Sequence, residues 1–313
     1  MIRAVPCACR DKMAEVMRTP SGMRLAQCRA CGLIIRPDAP PPHALERFYD
    51  REYIRCFGAE QSGTRDNLQV HALRRIESRV RNLDRQPNTH PAPQGHLIDV
   101  GCGRGRLLHL ARQAGWSVVG FDPSSDREIP GAAEIEIRRA SWPIVNIADD
   151  SADAIVFLNV LDHLPDPLLA LQAAWRALRP GGAIYVRVPN GPFHLRLLTG
   201  RWGRTLSAMT VFHLYGFGRR SLQHFLARTG FERIDIRTAP LSEGDAYASG
   251  TTRRTARSVA KHALKAGYNL SAWVGLDRWP WGPSIEALAS KPNRSPDLMG
   301  RVGSRSETQD RAG

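Results

Sequence analysis

The stretch LIDVGCGRG, residues 97–105, constrains the fold more than any other part of the chain. A short apolar run carries an acid, Asp99, near its end. Glycines follow at 101, 103 and 105. An apolar run of strand length, a glycine turn and then an amphipathic stretch over 104–114 read as strand, turn and helix. The alternation continues downstream. Strands are expected over 116–122, 133–140, 152–160, 183–190, 231–239 and 284–292. Helices are expected over 166–178, where RPGG stops the helix, and over 219–230. Strands alternating with helices predict a doubly wound α/β sheet of seven strands, Rossmann-like, with helices on both faces.

Upstream of the first strand, Val70, Leu73, Ile76, Val80 and Leu83 recur three or four apart, which predicts a helix over 66–84. Aromatic residues in 43–57 suggest a short helix. PDAPPP at 37–42 is a stiff connector, and QPNTHPAPQG at 86–95 is a loop. The chain therefore divides into a cysteine-bearing lobe (1–36), a connector with a helical segment (37–94), the α/β domain (95–292) and a polar tail (293–313) expected to be disordered.

The formal net charge of +14 raises the question of a nucleic-acid partner. Its distribution argues against one. Residues 91–195 hold 9 basic and 11 acidic side chains, so the excess lies in the flanks. Nearly all the basic residues are arginine, 40 against 4 lysines, as a composition bias would give. Within 240–283, Arg254, Arg257, Lys261 and Lys265 fall at helical spacing near Trp273, Trp279 and Trp281. A solvated lid helix is the favoured reading there, ahead of association with an anionic membrane surface. No apolar run reaches the roughly 18 residues of a membrane span. MIRAVPCACR has no apolar signal region, and a cytoplasmic protein is expected.

Ligands of doubly wound sheets bind at the carboxyl ends of the strands. The turn Gly101, Cys102, Gly103 sits there. The spacing G-x-G-x-G differs from the G-x-G-x-x-G of dinucleotide sites. Asp99 would repel a pyrophosphate, since a charge pair at about 4 Å and a dielectric of ~20 is worth about 4 kcal/mol. It would attract a ligand bearing an ammonium and a sulfonium, as S-adenosylmethionine does. Asp122, at the end of the second strand, suits the two ribose hydroxyls of an adenosine ligand. After the third strand, Ala140 and Trp142 are candidates to flank adenine, with core packing the competing role for Trp142.

The order LIDVGCGRG, VVGFDPS, DAIVFLNVLDHLPDP, LRPGG and IYVRVPN resembles the class I S-adenosylmethionine-dependent methyltransferases over about residues 95–195. The segment FHLYGFGRRSLQHFLARTGFE (212–232) extends the resemblance to small-molecule methyltransferases. The resemblance implies that Asp99, Gly101 and Gly103 face the methionine moiety, Asp122 the ribose, and that Asn159 forms a wall after the fourth strand. His163 lies just past that strand, where the family segment usually reads Glu-His-Leu and this chain has Asp162. His163 is a candidate base or acceptor contact. His213 and Tyr215, two apart, are candidates to orient a hydroxyl or carbonyl acceptor.

Cys7-x-Cys9 and Cys28-x-x-Cys31 offer four soft donors on two turns, the donor set of a structural Zn²⁺. A lobe of about 36 residues buries too little without such a staple. The first pair is one residue shorter than the C-x-x-C usual in such lobes. The expected function is methyl transfer to a small molecule, at oxygen or, as a variant, at carbon, in sugar or natural-product biosynthesis. An RNA methyltransferase and a non-catalytic cofactor-binding module are the alternatives.

Overall fold

The computed structural model describes residues 7, 9, 13–18, 24–38, 44, 66–83, 95–123, 135–143, 147–199, 214–240 and 282–293. Among these, the main sheet is built from β4 (His96–Val100), β5 (Ser117–Asp122), β6 (Glu136–Arg139), β7 (Ala152–Leu158), β8 (Leu178–Pro189), β10 (Glu232–Thr238) and β11 (Ser284–Ser290). Its strand order is β10-β11-β8-β7-β4-β5-β6. Strands β6, β5, β4, β7 and β8 run parallel. The seventh strand, β11, is inserted antiparallel between β8 and β10. Chain order explains the reversal. The chain returns at the carboxyl end of β8, where Asn190 N donates to Pro283 O (2.8 Å), so β11 can only run back down.

Four helices cover this sheet, α1 (Asp66–Leu83), α2 (Arg106–Gln113), α3 (Pro167–Ala177) and α5 (Arg219–Thr229), while α4 (Gly191–Thr199) packs against residues 215–216. The period-two alternation of the strands sends side chains to two cores. Leu97, Ala154, Val156, Ala183 and Leu288 pack on one face with Ala72, Leu73 and Ile76 of α1 and Leu107, Leu108 and Ala111 of α2. Ile98, Val100, Ile155, Phe157, Ile184 and Val186 pack on the other with Ala170, Leu171 and Ala174 of α3 and Leu222, Phe225 and Leu226 of α5. Each fully buried Leu, Ile, Val or Phe side chain among these contributes about 1.5–3 kcal/mol.

Two elements depart from the expected pattern. Strand β8 starts at Leu178 instead of 183, because Leu178 leaves α3 with an extended backbone and pairs at once with Ala152. The RPGG that ends the helix thus lies inside the strand. Helix α4 has no counterpart in the sequence reading. Its Asn-Gly start looks like a turn, yet Asn190 O accepts the first helical bond from His194 N (3.0 Å). The expected helix over 43–57 falls outside the described residues save for residue 44.

A second, antiparallel sheet has the order β1-β2-β3-β9. Its first three strands are β1 (Met13–Arg18), β2 (Arg24–Cys28) and β3 (Ile34–Ile35). The fourth, β9 (Tyr215–Gly216), comes from the segment just before α5. The amino-terminal strands are thereby joined to the late part of the chain. Cys7, Ala26, Cys28, Cys31, Leu33 and Ile35 belong to the same buried cluster as Phe157 and Phe225.

Candidate active site

The carboxyl ends of β4 and β5 form one site by backbone bonds. Gly101 N and Cys102 N both donate to Phe121 O, at 2.7 and 3.2 Å. Gly103 N donates to Asp122 Oδ2 at 2.8 Å. Gly101 is left-handed (φ 68°), and a Cβ there would lie 2.3 Å from Val160 Cγ2. Only glycine fits that turn. Cys102 rests its thiol over Gly120, where a Cβ would lie 2.6 Å from the sulfur.

Asp99 is the focus of this site. It is 3% exposed, and its Oδ1 has no hydrogen-bond partner among the described residues. Burial, and then the charge of Asp122, hold its carboxyl well above the usual carboxylate range. A buried carboxylate oxygen without a donor costs about 1–3 kcal/mol or more. A ligand bringing a positive donor removes that cost, so the turn fits the ammonium end of S-adenosylmethionine better than a phosphate.

On the neighbouring strand, β7 is followed directly by Asn159, also left-handed (φ 59°). Asn159 N donates to Arg187 O (2.9 Å), and its Oδ1 accepts from Arg187 Nη1 (2.5 Å). Arg187 is 1% exposed, and its Nη2 donates to Pro240 O (3.3 Å). The sequence reading missed Arg187. An arginine inside the apolar strand IYVRVPN was the available signal.

The loop after β7 carries Asp162 and His163. Asp162 is fully buried, and His163 Nε2 lies 3.5 Å from its Oδ2. Tyr215 is 7% exposed and donates its hydroxyl to Pro165 O (2.9 Å). Burial, then Asp166, push its phenol up. His213 lies outside the described residues. Ala140 is half-buried beside the core. Trp142 is buried against Phe121 and Phe157, ring centroids 5.8 and 6.1 Å away, and donates its N–H to Ala170 O. The structure thus joins Asp99, the glycine turn and Asp122. It sets Asn159, Asp162 and His163 on the next strand end, and it turns Trp142 into the core.

The four amino-terminal cysteines converge, all Sγ atoms lying within 4.8 Å of one another. Cys7 Sγ and Cys31 Sγ are 3.2 Å apart. Burial pushes the Cys7 thiol up and raises Cys31 to about 11. For Cys28 burial acts the same way but is outweighed by hydrogen bonds, first from the Cys31 amide, which lower it. Tetrahedral zinc with bonds of about 2.3 Å spaces its sulfurs about 3.8 Å apart. The four donors fit such an ion.

A profile of the family described as "Methyltransferase domain" matches residues 46–236, more than half of the chain. The chain belongs to the class I S-adenosylmethionine-dependent methyltransferases. Among curated relatives, a ubiquinone biosynthesis O-methyltransferase of Agrobacterium fabrum is 28% identical to this methyltransferase over 135 residues, 40% of this chain and 54% of that protein. A probable S-adenosylmethionine-dependent methyltransferase of Mycolicibacterium smegmatis is 28% identical over 162 residues, 50% of this chain and 60% of that protein. The chain spans about half the length of the first curated relatives it matches. Phosphoethanolamine N-methyltransferase 2 of Haemonchus contortus, solved with S-adenosyl-L-methionine, superposes with a TM-score of 0.51 at 14% identity, covering 83% of this methyltransferase and 62% of that chain. That likeness confirms the fold. No helix among the described residues is long and apolar enough to cross a membrane.

Proposed function

We propose that this methyltransferase moves a methyl group from S-adenosylmethionine to a hydroxyl of a small molecule. The observation that carries the reading is the buried, unpartnered Oδ1 of Asp99 beside the left-handed glycine turn. Asp99, Gly101 and Gly103 would hold the methionine end and Asp122 the ribose, with Cys102 beneath the turn. Ala140 would stand nearest adenine, and Trp142 would stiffen that wall from the core side. When bound, the cofactor supplies an electrophilic methyl group on a sulfonium.

The protein's part in the reaction is positioning and proton removal. Holding an acceptor in near-attack geometry is worth about 7–11 kcal/mol. Asn159, clamped by Arg187, forms a fixed wall at the end of β7. His163 would take the proton of the acceptor hydroxyl, and buried Asp162 beside it would stabilise the imidazolium. The likeness to ubiquinone biosynthesis O-methyltransferases supports oxygen as the acceptor atom. The cysteine cluster is read as a structural zinc site, since four protein thiolates leave no coordination position open.

The test is incubation with methyl-labelled S-adenosylmethionine and fractionated extract of the host. Label is expected in small metabolites, as an alkali-stable methyl ether. Label in RNA, or in no fraction, would contradict the reading.

A further inference from the structure

The acceptor-side loop and the cysteine lobe share one short piece of chain. Residues 214–216 bond to the loop on one edge. Leu214 N and Tyr215 N both donate to Asp162 O, at 3.0 and 3.2 Å, and the Tyr215 hydroxyl donates to Pro165 O. On the other edge the same residues belong to the lobe. Tyr215 and Gly216 pair with Ile35 and Ile34 of β3, and Arg36 N donates to Leu214 O at 3.1 Å. Strand β3 follows directly on the turn that carries Cys28 and Cys31, closed by Cys28 N to Leu33 O (2.8 Å) and Gly32 N to Cys28 O (2.9 Å). Gly216 is packed so tightly that a Cβ would lie 3.1 Å from Ile34 Cβ and 3.2 Å from the Gly191 Cα.

We infer that Tyr215 is a positioning residue: through 214–216 the cysteine lobe fixes the 160–165 loop and so sets His163 against the acceptor. The Asp162 carbonyl, adjacent to His163, takes two amides from a segment whose remaining edge is the fourth strand of the lobe. The phenol of Tyr215 is committed to the loop carbonyl at Pro165, which places it under the loop and not at a reacting atom. Loss of the four-sulfur cluster loosens β3, then 214–216, then the loop. Asp99, the glycine turn and Asp122 make none of these hydrogen bonds; the turn meets the loop where Gly101 packs on the Val160 side chain, and its own amides are held by Phe121 O and Asp122 Oδ2, so the backbone of the turn stays in place when the loop loosens. The coupling rests on His163 serving the acceptor, and it deepens that assignment.

Hydrogen exchange of the full chain tests the path directly, because local opening is read peptide by peptide. Two perturbations are compared: removal of metal by a chelator, and Tyr215→Phe with metal retained. Each is expected to raise exchange in 160–165 about tenfold. Peptides 97–105 and 117–122 stay unchanged, and affinity for S-adenosyl-L-homocysteine moves less than about twofold. With the methyl-accepting fraction of host extract, Tyr215→Phe lowers kcat about tenfold and leaves the KM for S-adenosylmethionine unchanged. Exchange in 160–165 that ignores Tyr215→Phe overturns the inference, as does an increase spread equally over 97–105. If purified protein carries no zinc, the metal-site reading fails and Tyr215→Phe alone decides the coupling. If no fraction accepts label, the transfer reading fails and the exchange data still decide it.

Discussion

On the proposed function, Asp99 concentrates the chemistry of the candidate site in one residue. Its folded-state pKa stands above the ordinary carboxylate value, so between those two values the folded protein holds more protons than the unfolded chain. Stability of the ligand-free protein is therefore expected to fall as pH rises through that window. Above it, an ionised and buried Asp99 strains the fold. Asp99→Asn is expected to raise the melting temperature of the ligand-free protein at pH 8 while weakening S-adenosylmethionine binding at least about tenfold, as loss of one charge-assisted contact implies. For the unmodified protein, affinity for the cationic ligand should rise with pH across the same window, since binding favours the ionised acid. Thermal melts and titrations at a series of pH values check both. Arg187 offers a second residue-level test. Arg187→Lys keeps a charge but cannot bridge Asn159 and Pro240 with one planar fork. A loss of roughly 2 kcal/mol, or about 4–8 °C in melting temperature, is expected by calorimetry.

Elements were legible where periodicity was strong. HLIDV, the second strand and the helix expected over 166–178 follow from apolar patterning, and the structure adds the cap of that helix, where Asp166 accepts from Leu169 N at 2.9 Å. The antiparallel entry of β11 beside β8 and the pairing of β9 with β3 depend on residues about 100 and about 180 apart in sequence, and no local pattern carries that information. The glycine turn was legible because its backbone demands are severe. Gly101→Ala places a Cβ on Val160 in a left-handed backbone and is expected to abolish detectable S-adenosylmethionine binding, while far-ultraviolet dichroism stays within about a tenth of the original. Of the candidate site residues, the two acids stood out by charge logic. Arg187 was not, because one polar residue in an apolar strand looks like noise until its partners are seen. Trp142 shows the reverse: an aromatic residue after a strand end can serve the core as readily as a ligand.

At the scale of the whole molecule, the lobe and the α/β domain share a sheet and a buried cluster. They are therefore expected to unfold together. Differential scanning calorimetry should show one transition that moves to lower temperature when metal is stripped; two separate transitions would mean that the lobe is independent. The excess positive charge falls in the sequence outside residues 91–195, the slightly acidic segment that carries the glycine turn. On the proposed function the glycine turn is built for a positively charged methyl donor, and isothermal titration tests that most directly. S-adenosylmethionine is expected to bind the unmodified chain at one site, at least about tenfold more tightly than it binds Asp99→Asn. Equal affinity in both proteins, or preference for a nicotinamide dinucleotide, would contradict the account.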